Sequence, residues 1–338
     1  MKNILLFLFL FLTACSSPRD FPPSELKTET HPLYLATMTH MEGGWKDDRD
    51  ENLFLQHVEQ LRYGMDLAEE YDAILTVESE KPFARANTIW DVEIMKEVLD
   101  RGHGVGTHCD IGGVGQREID LEQMIFQLKE NKKLVDDLVG AENNHGCSGA
   151  AGKNDWAIAM FEAGFDYING MVGMHLLALP EAERPGTEWT DEFLSGDGYH
   201  NNFPAEVVDR IYLMQFEDTT DYQADETGIV VSNGELGRVD RLAEGGDEAS
   251  ESECPRGNCP FTTDDVDVLV EIIQTVDAER DPSQIAKLAI YMPASNFVPE
   301  NEDALRYLFS EMQKLQEAGT IEWASQWEIV QAYLNSLQ

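Results

Sequence analysis

The alternation of apolar segments predicts an α/β fold, in which a parallel sheet or barrel is covered by helices. Short segments rich in Val, Ile and Leu alternate with longer segments of helical periodicity, at the spacing of β-α-β units. No internal repeat is present, and about 300 residues remain after an N-terminal leader and tether, which is enough for one large domain or two small ones. A hydrophobic content of 42% allows a substantial core.

The first 180 residues carry the most regular part of this pattern. Strands are predicted at 33–40, 73–79, 103–108, 143–152 and 165–170, and helices at 51–71, 88–102, 119–140 and 154–164. The first helix places Phe54, Val58, Leu61 and Met65 mostly on one face. Glycines end the second and third helices, and Asn154 is the predicted N-cap of the fourth.

Regular alternation weakens between about residue 181 and residue 285. Strands are predicted at 208–216 and 228–233, and the acidic, Gly-rich segment 237–263 is predicted to be a surface insertion. The pattern then resumes, with helices at 264–279, 302–319 and 326–337 and strands at 286–295 and 321–325. We therefore expect one domain over 32–338 with an irregular insertion at about 181–285.

The N-terminus has the pattern of an export signal. Residues 4–12 are wholly apolar but too few to cross about 30 Å of hydrocarbon as a helix. Leu12-Thr13-Ala14-Cys15 resembles a bacterial lipobox, which implies removal of residues 1–14 and lipidation of Cys15. Residues 15–31 are Pro- and Ser-rich and are predicted to be a tether. Ser16 and Ser17 imply the outer membrane within the cell envelope, whereas a chance cysteine is the alternative.

Cysteine usage agrees with export. Of the five cysteines, four remain when Cys15 is assigned to lipid, and an even number in an oxidising compartment predicts two disulfide bonds. Cys254 and Cys259 enclose the turn sequence PRGN and are predicted to pair. Elimination leaves Cys109 with Cys147, and two free buried thiols are the alternative.

The formal net charge of −40 limits the partners. A phosphate-binding surface needs clustered Lys and Arg, and the chain has no such cluster, so we expect no nucleic-acid partner. A solvated acidic surface, as in proteins of salty habitats, explains the charge. Calcium binding is the alternative, but no EF-hand spacing supports it.

Two stretches carry a resemblance to a known family: AILTVESEKPFARANTIWDVEIMKEVLDRGHGVGTH (73–108), and KLAIYMPASNF with LFSEMQKLQEAGTIEWASQWEIVQAY (287–297 and 308–333). They resemble the polysaccharide deacetylases of carbohydrate esterase family 4. The overall likeness covers about 33–180 and 285–338. It implies a distorted (β/α)7-type barrel, a carbohydrate substrate and a divalent metal, with zinc as the expected ion.

The catalytic motifs of that family are only partly kept. Its TFDDG motif matches residues 39–43, so Glu42 stands for the metal-binding Asp and Met41 for the Asp that acts as base. The first His of the H-[ST]-x-x-H motif is His108, and Gly112 stands at the second. The R-x-P-Y motif falls on 145–148, and the L-x-H motif near Tyr291-Met292-Pro293; the characteristic letters are absent from both.

A third metal ligand must therefore replace the missing His. His145 is the first candidate because we expect it to end the next strand on the same rim, and Asp110, two residues after His108, is the second. A Cys109–Cys147 disulfide would tie the two loops together and bring His108 near His145. Convergence of Glu42, His108 and His145 within about 5 Å would favour a metal site, and their divergence would favour a binding protein without chemistry.

Other rim positions are candidates for catalysis and substrate binding. His40 and Glu78 end predicted strands, where barrel enzymes carry catalytic groups, and either could be the base that Met41 cannot be. Trp45 follows two glycines and is the predicted sugar-stacking platform, whereas Trp90, Trp156 and His103 are predicted to be structural.

Two functions follow from these residues. The first is metal-dependent hydrolysis that removes acyl groups (N- or O-acetyl) from a carbohydrate. The second is a catalytically degenerate lipoprotein that binds a glycan or a partner without chemistry, which the missing base, His and Arg favour.

Overall fold

A computed structural model describes residues 30–43, 45–111, 119–196, 198–204, 211–220, 222, 227–244 and 260–338. Cys15, Gly112, Cys254 and Cys259 lie outside these ranges, so the predictions made on them stay predictions. In chain order the strands are β1 (Leu33–Met41), β2 (Thr76–Ser79), β3 (Gly104–Ile111), β4 (Gly146–Ala150), β5 (Tyr167–Asn169), β6 (Met214–Phe216), β7 (Ile229–Ser232), β8 (Glu235–Arg238), β9 (Ala286–Tyr291) and β10 (Ile321–Trp323). The helices are α1 (Glu51–Glu69), α2 (Lys81–Ile89), α3 (Ile94–Asp100), α4 (Leu121–Val139), α5 (Trp156–Ala163), α6 (Asp191–Leu194), α7 (Thr263–Glu279), α8 (Glu302–Glu317) and α9 (Gln326–Ser336).

These elements form a distorted (β/α) barrel, which confirms the predicted fold class. Within the described ranges the strand order is β6-β7-β5-β4-β3-β2-β1-β9-β8, and β10 pairs with β1. Only the β6–β7 pair is antiparallel among the described strand pairs. The parallel strands β1 to β5 therefore bring their carboxyl ends to one rim, where barrel enzymes keep their active sites.

Two local predictions are wrong. The helix predicted over 88–102 is two helices, because α2 begins at Lys81 with a proline in its first turn and Asp91, with φ of 54°, interrupts the helical path before α3. The N-cap of α5 is Asp155, whose carboxylate accepts from the Ile158 amide, whereas the Asn154 amide donates to the Ile119 carbonyl.

The core follows from the apolar faces that the sequence predicts. Every residue of β1 except His40 is buried, as expected for a strand covered on both sides. The predicted face of α1 is fully buried against the sheet, and Trp156 is fully buried in a second cluster under α4 and α5. No helix in the described part of the chain is long and apolar enough to cross a membrane.

Candidate metal centre

Strand register places a row of polar side chains along the carboxyl rim. His40 on β1 is paired with Glu78 on β2, and His108 on β3 is paired with Ser148 on β4. Glu42 follows the last residue of β1. Five polar side chains therefore meet at the ends of four adjacent strands.

Three of these side chains converge as a set of metal ligands. One ligand atom from each of His40, Glu42 and His108 lies within 4.8 Å of the others. His108 Nε2 is 3.1 Å from Glu42 Oε2, and the two imidazole rings stack with their centres 4.3 Å apart. Zn²⁺ takes imidazole nitrogen and carboxylate oxygen at about 2.1 Å, and tetrahedral ligands at that distance are about 3.4 Å apart. The donor chemistry and the size of the cluster both suit such an ion.

The electrostatics of the pair are those of an ion pair. Burial opposes ionisation of Glu42, but the hydrogen bond and charge of His108 outweigh it and lower the pKa of Glu42 to about 2. Burial disfavours the charged form of His108, yet Glu42 raises the pKa of this imidazole. A divalent cation bound here would take the place of the imidazolium charge beside the carboxylate.

A buried carboxylate stands behind the two histidines. Glu78 is fully buried, and its Oε2 lies 3.0 Å from His40 Nε2 and accepts a hydrogen bond from Ser148 Oγ. Ser148 Oγ is also 2.9 Å from His108 Nδ1. Burial opposes ionisation of Glu78, but hydrogen bonds and the nearby His40 hold its pKa below the usual range. Glu78 therefore touches one histidine directly and the other through Ser148, as orienting carboxylates do behind metal-ligating histidines.

Glycine at position 149 is required by this packing. Its φ is 73°, and a Cβ there would lie 3.0 Å from His108 Cε1 and 3.2 Å from the Asp110 amide nitrogen. A side chain would strain the backbone and push the His108 ring away from its partners.

Tyr291, at the end of β9, contacts two residues of the cluster. Its hydroxyl donates to Glu42 Oε1 at 3.3 Å, and its ring centre is 4.8 Å from that of His40. Burial raises the pKa of Tyr291, so the phenol stays a neutral donor. One signal for it is present in the sequence, because the position lies near the match to the late L-x-H motif of the polysaccharide deacetylases.

More buried acid lies beside the cluster. Glu80 is 5% exposed. Burial raises its pKa to about 8; the Asp47 and Asp110 carboxylates add to this increase, and the charge of His108 opposes it. Asp47 is fully buried, and its Oδ1 is 2.6 Å from His57 Nδ1. Neither Glu80 nor Asp47 was identified from the sequence as part of the site.

His145 does not join the metal cluster. The prediction that it ends a strand on this rim is wrong, because β4 begins at Gly146 and His145 precedes it at the amino-terminal end of the barrel. Its Nδ1 is 2.6 Å from Asp166 Oδ2, its Nε2 is 2.8 Å from the Glu142 carbonyl oxygen, and its ring stacks on Trp327.

The predicted Cys109–Cys147 disulfide is confirmed, with the Cα atoms 5.9 Å apart. It joins β3 to β4, but it does not bring His145 to His108 as expected. Cys147 is paired with Thr107, next to the pair of His108 and Ser148. His145 precedes β4, two residues before Cys147, and so lies towards the amino-terminal end of the barrel.

The remaining predicted residues lie at or near the rim. Asp110 is near the end of β3, with φ of 43°, and is outside the three-residue cluster. Trp45 is 49% exposed and its amide donates to the Glu42 carbonyl, so its backbone lies beside that of Glu42. The structural role predicted for His103 is confirmed, since its buried ring accepts from the Leu75 amide at 3.1 Å. Trp90 is partly buried and donates to the Asp47 carbonyl.

The comparisons with known proteins agree with the barrel. No family model and no curated protein matches the chain. Among solved structures, a protein assigned as a polysaccharide deacetylase from Mycobacterium smegmatis is similar with a TM-score of 0.54 and 11% identity, covering 95% of each chain. The Puue allantoinase has a TM-score of 0.56 and 13% identity, covering 94% of this chain and 97% of its own.

A third neighbour is the 4-alpha-glucanotransferase of Thermococcus litoralis. Its TM-score is 0.50 at 13% identity, and the match covers 89% of this chain and 40% of that one. At these identities the neighbours establish a shared fold, and their different named activities leave the function of this chain to its own site residues.

Proposed function

We propose that the protein is a metal-dependent hydrolase that removes acyl groups, N- or O-acetyl, from a carbohydrate. The observation that carries the proposal is the convergence of His40, Glu42 and His108 at the carboxyl rim. These residues would hold a zinc ion or similar cation, which would act as a Lewis acid and lower the pKa of water. The shared fold with a protein assigned as a polysaccharide deacetylase supports the carbohydrate class.

The surrounding side chains have separate tasks in this proposal. His40 supplies the third ligand that we expected from His145 or Asp110. Tyr291 is a neutral donor 3.3 Å from Glu42, and in this proposal its hydroxyl turns from Glu42 to donate to the oxygen that gains charge as the acyl carbonyl is attacked. Trp45 offers an exposed indole for stacking on a sugar ring.

One observation favours the second candidate, a glycan- or partner-binding protein without chemistry. Met41, at the position of the family's base, is 1% exposed and cannot accept a proton. Glu78, a predicted base, is fully buried behind His40 and does not face the open side. A binder would keep the polar rim and Trp45 without needing a base.

Acetate release separates the two candidates. We expect the purified protein, incubated with acetylated oligosaccharides, to release acetate in a reaction that a chelator stops and zinc restores. His145→Ala is the matched control, since it removes a histidine outside the cluster and should keep the activity. Absence of bound metal, with saturable glycan binding that survives chelation and His108→Ala, would establish the binder instead.

We also propose that the mature protein is lipid-anchored in the cell envelope through Cys15. The apolar run 4–12 followed by the lipobox-like Leu12-Thr13-Ala14-Cys15 supports this. Globomycin should cause the precursor to accumulate, and Cys15→Ala should prevent lipid labelling. An unchanged precursor size under globomycin would rule the anchor out.

A further inference from the structure

We propose that Asn169 and Lys287 are positioning residues, which hold the Glu78 carboxylate in the one orientation that aligns His40 directly and His108 through Ser148. The inference rests on the proposed metal site for its importance to function. Its geometry, however, lies wholly in a buried chain of side chains beneath that site.

The hydrogen-bond donors and acceptors in this chain of side chains can be arranged in only one way. Asn169 Nδ2 donates to Glu78 Oε1 at 3.0 Å, and Asn169 Oδ1 accepts from Lys287 Nζ at 3.3 Å. A carboxylate only accepts and an ammonium only donates, so the amide can satisfy both neighbours in one orientation alone. Lys287 therefore decides which end of Asn169 faces Glu78.

Lys287 is itself held from three other elements. Its ammonium donates to the Ser232 carbonyl oxygen on β7 at 2.8 Å, to Gln326 Oε1 on α9 at 3.0 Å and to Glu235 Oε1 on β8 at 3.3 Å. Four acceptors share the three protons of this ammonium, which leaves it little freedom to move. The anchor of Asn169 is thus fixed by the barrel wall.

Packing alone does not explain these polar residues. Lys287 is fully buried on β9, and barrel interiors are ordinarily filled by branched apolar side chains. Burial lowers the pKa of Lys287 and raises that of Glu235, which shows that the buried charges are costly. Apolar residues at both 287 and 235 would avoid that cost but would leave the Asn169 amide free to turn.

The two oxygens of Glu78 divide the work. Oε1 takes the hydrogen bond from Asn169, while Oε2 lies 3.0 Å from His40 Nε2 and accepts from Ser148. Without the bond at Oε1 the carboxylate can rotate, and the alignment of both imidazole rings is lost. Loss of such an orienting partner typically weakens metal binding by about 10- to 100-fold.

Zinc affinity of matched variants tests the inference. We expect Asn169→Leu, the isosteric Asn169→Asp and Lys287→Met each to weaken zinc binding by about tenfold or more, measured by competition with a chromophoric chelator. Gln326→Met is the control, because it removes another fully buried acceptor of Lys287 and leaves the Asn169–Glu78 bond in place. Wild-type affinity in the Asn169 variants, or an equal loss in Gln326→Met, would overturn the proposal.

A second readout is independent of metal. In the metal-free protein, ¹⁵N NMR of the His40 ring, assigned with His40→Gln, should show Nε2 protonated in the wild type and in Gln326→Met. The Asn169 and Lys287 variants should show a mixture of tautomers. If the wild type binds no zinc, the proposed function fails while this readout still tests the positioning. If the ring signals of the variants match the wild type, the positioning fails.

Discussion

Two histidine–carboxylate pairs lie at opposite ends of the barrel, and they behave differently. At the amino-terminal end His145 is 2.6 Å from Asp166, its other ring nitrogen lies 2.8 Å from the Glu142 carbonyl oxygen, and its ring stacks on Trp327. Both nitrogens have partners within the protein, and among the described residues no third metal-ligating side chain converges with this pair.

The pair at the carboxyl rim is joined by a third side chain that can ligate a metal. His108 uses Nδ1 towards Ser148, and its Nε2 converges with Glu42 and His40 on one point. Both ends pair a histidine with a carboxylate, so the position along the strand and the neighbouring side chains decide whether the histidine can bind a metal. The comparison predicts that changes at the two ends have separable effects.

The largest expected contrast is in metal binding. His108→Ala should abolish stoichiometric zinc binding, because it removes one of three ligands, whereas His145→Ala should bind zinc like the wild type. Inductively coupled plasma mass spectrometry on the purified variants measures this directly. Equal zinc content in the two variants would break the comparison between the two ends.

The sequence predicted one part of this contrast correctly. The order of strands and helices, the Cys109–Cys147 bond and the rim positions of Glu42 and His108 follow from periodicity, cysteine arithmetic and motif letters. His145 was misplaced because the Gly-rich run NNHGCSGAAG has too few side chains to show where β4 begins. A shift of a few residues along a strand moves a side chain from one end of a barrel to the other.

The role of the other site residues could not be read from the sequence for a different reason. Ser148 reaches the site through strand register between distant segments, in its pairing with His108 across 40 residues. One sequence carries no signal for such a pairing. The supporting polar chain through Asn169 and Lys287 depends on the same long-range register.

The second contrast is in stability, because the carboxyl rim buries the Glu80 side chain, whereas the Asp166 side chain at the amino-terminal end is half exposed. The pKa of Glu80 is raised from 4.5 to about 8, so its contribution to folding is fully present below pH 4.5 and is lost as the pH rises through 8. In the metal-free protein, Glu80→Gln should therefore increase the free energy of unfolding at pH 9 by on the order of 3–5 kcal/mol.

The same substitution should have little effect at pH 5, where the folded wild type keeps Glu80 protonated. Thermal unfolding at the two pH values measures the difference. A stabilisation that is equal at pH 5 and pH 9 would mean that the effect comes from packing and not from a buried charge.

The third contrast separates holding the rim together from forming the metal site. The disulfide between Cys109 and Cys147 closes a loop with a sequence separation of 38. Replacing both cysteines by Ala should lower the free energy of unfolding by about 3 kcal/mol in denaturant titrations. Zinc affinity should change by less than about tenfold, the lower limit for loss of an orienting partner, because the β3–β4 hydrogen bonds still set His108 level with Ser148. A larger loss of affinity would show that the bond itself positions the ligand.

The smallest effect is expected at the amino-terminal end. The side chain of Asp166 is half exposed, so its pairing with His145 is screened by solvent and should be worth about 0.5–1 kcal/mol. A double-mutant cycle with His145→Ala and Asp166→Asn, read by denaturant unfolding, measures this coupling while zinc content stays unchanged. A coupling near zero would leave the Trp327 stack as the main contribution of His145, and a loss of zinc in either variant would mean that the two ends are not independent. Stability and metal binding would then have to be treated as one property of the barrel.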